Sequence, residues 1–244
     1  MGKFVLIDAR VFTGGADLSG ASNKIELNTE REAKPAMNFR SGGWEELLGG
    51  LASSSLSGEG QWEAGDPGRV DDAAWAGLGG LGPWTMCPTD ATQGALAYLT
   101  YAMTGSYKLG GQVGEVAPWT AEAKGSWPVA RGAVAHPPGT ARTADGNGAA
   151  LQLGEVDDGR HLYAALHVLS VAGTGTPSIT VEIESAPSAG FASPTTVAAF
   201  TAATGRGGQI LRTAGPITDT HYRAVWTITG TAPSFLFLVA LGIQ

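Results

Sequence analysis

Apolar and polar positions alternate most cleanly in residues 178–186, SITVEIESA. There Ile179, Val181 and Ile183 fall on one side, and Thr180, Glu182 and Glu184 on the other. A period of two marks a strand with one buried face. Residues 222–230, YRAVWTITG, repeat it with Tyr222, Ala224, Trp226 and Ile228. Five more runs in this part read as strands: AALQLGEV, HLYAALHVLSV, TTVAAFTA, GQILRTAG and SFLFLVALGI, starting at residues 149, 161, 195, 208 and 234. About seven short strands are the complement of a β-sandwich.

The first part is less regular. KFVLIDARVF (3–12) and NKIELNTE (23–30) read as strands, the second with Ile25 and Leu27 between polar neighbours. Residues 29–43 then lose all periodicity and carry Glu30, Arg31, Glu32, Lys34 and Arg40 around Pro35, which predicts a long, charged, extended loop. SSSLSGEGQWEA (53–64) reads as a strand in spite of its Ser and Gly content. VDDAAWAGLGG (70–80) predicts a short helix, capped by Asp71 or Asp72 and ended by Gly79-Gly80. GALAYLTYAMTGSYKLGG (94–111) has apolar residues on both faces, as a strand covered on both sides does. VGEVAPWTAEAKGSWPVARG (113–132) supplies the last strands of this unit.

Composition sharpens this picture. Only 15% of the 244 residues are charged, 37 are Gly and 43% are hydrophobic, which argues for an ordered all-β protein with many tight turns. All five lysines precede residue 136, and the stretch AHPPGTARTADGNG is rich in Pro, Gly and Thr. The division this suggests is a domain over 1–135, a linker over 136–148 and a second domain over 149–244. The net charge of −7 excludes the basic face that nucleic-acid readers use. A single cysteine, Cys87, rules out an internal disulfide and is expected to be a buried thiol. The N-terminal run is not a signal peptide, the pattern for myristoylation is missing, and SFLFLVALGIQ is too short to span a bilayer. Folding in a cytoplasm is the expectation.

A particular order of small motifs carries more information. Asp17, Leu18, Ser19 and Asn23 precede the loop; Gly42, Gly43, Trp44, Glu46, Leu48, Gly50 and Leu51 form a turn; Ser55, Gly58 and Trp62 lie on the following strand. Over roughly residues 4–135 this order resembles the major tail tube protein of long-tailed bacteriophages. The resemblance implies a tail-tube-type β-sandwich or partial barrel with one short helix. It implies a non-enzymatic virion protein whose copies assemble as hexameric rings, stacked into the tube that conducts DNA from capsid to host. The long loop would then reach a neighbouring subunit, so Glu30, Arg31, Glu32, Lys34, Asn38 and Arg40 become the candidate assembly residues. Implied partners are further copies of the chain, tail terminator, baseplate or initiator and tape measure proteins, with DNA passing unbound. The implied location is the virion tail, and host cytoplasm during assembly, with no membrane.

The second part, through VAGTGTPSITVEIESA, AGFASPTT and RAVWTITGTAPSFLFLVALGI, resembles β-sandwich domains appended to tail proteins, some of which are thought to contact host surface glycans. Such a domain is expected to be dispensable for polymerisation. The lumen is expected to be lined by acidic and neutral side chains, because phosphate neutralisation by Lys and Arg drives DNA binding.

Chemistry outside that resemblance is sparse. Zinc, P-loop and nucleophile-elbow signatures are missing, so no catalytic, cofactor or metal residue is nominated. His161 and His167 share one side of a strand and are expected to be separate surface or core residues rather than a metal pair. Glu63 and Asp66 beside Trp62 are read as a strand end, against a sugar-handling acid. Most of the seven Trp are expected in cores or interfaces. The rival readings are a pair of carbohydrate-binding modules, a virion hydrolase, and a capsid decoration or baseplate protein.

Overall fold

The computed structural model describes residues 5–42 and 44–244, and the chain is all-β. The first unit holds β1 (Arg10–Thr13), β2 (Ala16–Asp17), β3 (Ser22–Pro35), β4 (Leu47–Gln61), the helix α1 (Val70–Ala76), β5 (Leu81–Cys87), β6 (Leu96–Leu109), β7 (Pro118–Gly125) and β8 (Ala130–His136). The second holds β9 (Gly146–Asn147), β10 (Leu151–Gln152), β11 (His161–Ala186), β12 (Thr195–Ala199), β13 (Gly207–Ala214) and β14 (His221–Ile243). One antiparallel sheet runs β12-β11-β14-β8-β6-β5-β1-β2, and β3, β4 and β7 branch from β6 in the order β6-β7-β4-β3. Among the described residues no helix is long and apolar enough to cross a membrane.

Three predictions for the first unit need correction. The loop expected over 29–43 is largely a strand: β3 continues through Glu30, Arg31, Glu32 and Lys34 to Pro35, paired with β4 as far as Pro35↔Leu47 with a register shift between Arg31 and Ala33. Both faces of this stretch are exposed, so no apolar periodicity marks it, and backbone hydrogen bonds to β4 hold it instead. Gly43 of the turn lies outside the described residues, as do Lys3 and Phe4 of the first predicted strand, which begins only at Arg10. The helix forms where predicted, but its caps differ. Arg69 is the N-cap, and the helix stops at Gly77. Asp72 instead accepts the amides of Gly65 and Asp66, and Asp71 accepts the Tyr107 hydroxyl.

In the second unit the predicted strands 161–171 and 178–186 fuse into β11, and 222–230 and 234–243 fuse into β14. β11 and β14 pair along their whole length, with register shifts between Val168 and Ser178. The ladder survives the bend because Gly173 (φ 123°), Gly175 (φ 66°) and Gly230 (φ 121°) take backbone angles that L side chains avoid. A Cβ at Gly173 would meet the Ala232 carbonyl oxygen at 2.9 Å. The ribbon doubles back, so Leu162, Leu166 and Phe237 from one half meet Ile179, Ile183 and Trp226 from the other in one core. That is the expected sandwich, built from a folded ribbon. The AALQLGEV run contributes only the two-residue β10.

The units are tied together by more than residues 136–148. β8 pairs with β14, Val239↔His136 through Gly242↔Gly132. Phe12, Cys87, Ala97 and Val134 share a cluster with Leu169, Leu238 and Ala240. Leu99 and Ala130 share another with Tyr163 and Ala165. The buried His167 of β11 joins Thr85 Oγ1 at 2.8 Å through Nε2 and the Gly14 carbonyl at 2.9 Å through Nδ1. Inside 136–148, Arg142 bridges to Phe235, and β9 pairs with β14.

Candidate assembly surface

The branch β6-β7-β4-β3 is a four-stranded sheet whose faces differ completely. Register places Ile25, Gly58, Ala121 and Tyr107 in one row, and Leu27, Leu56, Ala123 and Thr104 in the next. These rows face the unit's core with Trp119. Gly58 keeps that side open for the indole, since a Cβ there would lie 3.0 Å from the Trp119 ring. The Trp119 N–H donates to the Ala21 carbonyl at 3.1 Å.

The opposite face is wholly polar across its two central rows. Lys24, Glu59, Thr120 and Lys108 form one, and Glu26, Ser57, Glu122 and Ser106 the other. Asn28, Ser55 and Lys124 follow, in a row that ends on the exposed Met103 of β6. None of these side chains is buried. Three Lys thus face three Glu, a charge-balanced surface. Lys24 lies 3.2 Å from Glu26 and 3.7 Å from Glu59. Hydrogen bonding and charge from Glu26, then Glu59, hold its ammonium above the ordinary lysine pKa. Lys108 and Lys124 have no ion-pair partner among the described residues.

Both edges of this sheet are open. Among the described residues, β3 has only β4 as neighbour, and β6 beyond Thr104 has only β7. β7 ends at Ser55↔Lys124, so residues 29–35 and 47–54 continue as a two-stranded arm, roughly 20 Å long at the usual rise per residue. A lone two-stranded ribbon is marginal in water.

The six predicted assembly residues all lie on this arm. Glu30 accepts the Ser53 hydroxyl at 3.1 Å, Lys34 pairs with Glu32, and Arg31 lies against Gly49. Asn38 and Arg40 sit at the tip, where Asn38 Oδ1 accepts the Arg40 amide at 2.9 Å and the Asn38 amide donates to Ser41 Oγ at 3.0 Å. The tip is therefore an organised turn. Sequence reasoning missed its apolar content: Met37, Phe39, Trp44, Leu47, Leu48 and Leu51 are all exposed. Their signal was large apolar residues among charges with no period to bury them.

That exposure is lopsided. Among the described residues every exposed large apolar side chain lies between Val5 and Val116, and none lies in the second unit. Besides the tip, Trp75, Leu78, Leu81 and Met103 cluster near α1, and Leu109, Val113 and Val116 surround the β6–β7 turn beside Trp62. Trp84, Trp119 and Trp226 are buried, as expected of core aromatics, whereas Trp44 and Trp75 are open.

The other candidates serve structure. His167 is fully engaged by Thr85 and Gly14, and His161 stands six residues away on the same strand, about 20 Å at strand spacing. Among the described residues no three His, Cys, Asp or Glu could hold a metal ion. Glu63 pairs with Arg69, and Asp66 with Arg206 at 3.0 Å, which pins the loop before α1 to the second unit. Burial pushes the Cys87 thiol up to about 12, which leaves it inert.

No family model matches the chain, and no curated protein does. Among solved structures, a chain of the virion of a native gene transfer agent particle superposes with a TM-score of 0.42 at 18% identity, over 52% of this chain and 96% of that one. A chain from the tail of an empty gene transfer agent particle, refined with C6 symmetry, gives 0.37 at 18% identity, over 46% and 84%. The SPP1 Dit (gp 19.1) protein, described as a paradigm of the hub adsorption apparatus in Gram-positive infecting phages, gives 0.34 at 9% identity, over 97% and 99%. Scores below 0.5 carry no functional weight.

Proposed function

We propose that this chain is a structural protein of a phage tail, and that its copies form hexameric rings which stack into a tube conducting DNA. The observation that carries the reading is the sheet β6-β7-β4-β3, with one polar face and two open edges. Monomeric proteins normally block a long edge strand, whereas the 14-residue β3 is open along its outer side. Pairing β3 of one copy with Ser106–Leu109 of the next would join unlike surfaces, and such contacts close into rings when the rotation allows. The polar face then lines the lumen, and the apolar face stays on the core. The sixfold count rests on the motif order that resembles tail tube proteins. The lack of large exposed apolar residues in the second unit supports placing it outside the tube, as an appended sandwich over 149–244.

Negative-stain imaging and sedimentation of the purified chain test this. Rings or tubes of uniform width are expected, and monomers at every concentration refute the reading. The lumen assignment has its own test. Glu59→Lys with Glu122→Lys turns the balanced face strongly positive, and tubes of this variant should retain duplex DNA at about 0.15 M salt, where unsubstituted tubes release it. Equal retention by both would put this face elsewhere.

A further inference from the structure

Residues 141–148 cross the second unit as a strap held by polar contacts and not by a core. Arg142 exchanges two backbone hydrogen bonds with Phe235, at 2.7 and 2.9 Å, and its guanidinium lies 5.4 Å from the centre of a Trp226 ring. The Ala144 carbonyl accepts the Trp226 indole N–H at 3.1 Å, and Asp145 Oδ1 accepts the Ile228 amide at 2.7 Å. β9 then pairs Gly146 with Trp226 and Asn147 with Val225, and the Gly148 amide donates to the Ala224 carbonyl at 2.8 Å. Gly146 lies directly on the indole, where a Cβ would come within 2.9 Å of the ring. Among the described residues none from 141 to 148 belongs to a hydrophobic cluster, and Thr143, Ala144, Asp145 and Asn147 are exposed. Arg142 Nε is buried with no hydrogen-bond partner among the described residues, a standing cost of the closed strap. Segments with few buried apolar contacts open locally, well below the free energy of global unfolding.

The strap carries the one Asn-Gly pair of the chain, Asn147-Gly148. Such a pair deamidates readily, because glycine has no Cβ to hinder its nitrogen. The Gly148 nitrogen loses its proton and bonds to Asn147 Cγ. The Cγ–Nδ2 bond breaks, and the departing amide takes up a proton and leaves as ammonia. Water then opens the succinimide ring at either carbonyl, giving aspartate or isoaspartate. The closed strap opposes the first step twice: the Gly148 N–H is donated to Ala224, and Asn147 is held extended in the ladder with Val225. We infer that Asn147 is a guarded modification site: the strap opens on its own, Asn147 deamidates only while it is open, and the isoaspartyl product keeps it open. The product has one more backbone carbon between residues 147 and 148, so the pairing to Val225 and the bond to Ala224 do not re-form in one register. Loss of ammonia makes the change one-way. Trp226 and His136, only 4% and 1% exposed, then lose their cover. The inference concerns a single copy and does not depend on the tube reading.

The test incubates the full chain at mildly alkaline pH and follows the tryptic peptide from Thr143 to Arg160 by mass spectrometry, where amide-to-acid conversion is read directly. The folded chain should deamidate roughly tenfold or more slowly than the same chain unfolded in urea, since only the open fraction reacts. Low, non-denaturing urea should leave the folded rate nearly unchanged, because opening the strap exposes little surface. Asp145→Ala removes the bond to the Ile228 amide and should raise the folded rate severalfold, with the rate in urea unchanged. In the isoaspartyl product, amide exchange at Ile228 should be faster than in the starting chain. Equal rates in folded and unfolded chain would show that Asn147 is not guarded. A folded rate that climbs with urea in step with global unfolding would show that the strap opens only with the whole chain. Unchanged exchange at Ile228 in the isoaspartyl product would show that the strap closes again. Each of these three results overturns the inference.

Discussion

A chain ended after Ala135 is expected to lose its cooperative melting transition and to form no tube. Phe12, Leu99 and Val134 are fully buried, and each sits in a cluster completed by the second unit: Leu169, Leu238 and Ala240 for Phe12 and Val134, Tyr163 and Ala165 for Leu99. Exposing a Val, Leu or Phe side chain costs about 1.5–3 kcal/mol, so half-exposing these three removes roughly 2–5 kcal/mol. Ladder bonds from β8 to β14 and both His167 hydrogen bonds go as well. A domain's whole stability is about 5–15 kcal/mol, so the remainder stands at the threshold of folding. The measurement is a thermal melt with near-ultraviolet circular dichroism on residues 1–135. A sharp transition followed by tubes of unchanged inner diameter would show the second unit to be an independent attachment, as its composition suggests.

The second unit was the more legible in sequence because its strands have one wet face and one dry face. Ile179, Val181 and Ile183 against Thr180, Glu182 and Glu184 could hardly be read otherwise. What stayed hidden was that Gly173 and Gly230 bend a strand without ending it, since a glycine in a polar run reads as a turn. In the first unit the arm was misread for the same physical reason that makes it interesting. Between Thr29 and Pro35 neither face is buried in the monomer, so the sequence has no period to display. The polar sheet face was invisible for another reason. Lys24, Glu59, Thr120 and Lys108 come from four strands, and only the register of three ladders sets them in a row. His167 looked like any strand histidine, because its partners Thr85 and Gly14 are far away in sequence.

Acid is expected to unfold the chain from about pH 6.5 downward, with the second unit and its junction giving way together. Burial holds His167 at about 4, against 6.5 for a free side chain, although the Gly14 hydrogen bond pulls the other way. Burial holds His136 at about 4 too, reinforced by the charge of Arg142. The His136 ring stacks on Phe237 at 4.3 Å and lies 4.6 Å from Trp226, and its Nε2 has no hydrogen-bond partner among the described residues. Both groups are neutral when folded and take a proton readily when unfolded. Their stabilising contribution is therefore complete above pH 6.5 and is lost as the pH falls toward 4. At pH 4.5 each lowers the folding free energy by roughly 2–3 kcal/mol relative to pH 7, from about 1.4 kcal/mol per pKa unit. His136→Phe keeps an aromatic ring between Phe237 and Trp226 and removes one titration, so it should cut the pH 7 to pH 4.5 loss by about that amount. Urea melts at the two pH values measure it. If the loss is the same in His136→Phe as in the unsubstituted chain, carboxylates and not this histidine govern acid unfolding. His167→Gln should flatten the profile as well but lower stability at pH 7, since the amide must replace both the Thr85 and the Gly14 hydrogen bond from a different geometry.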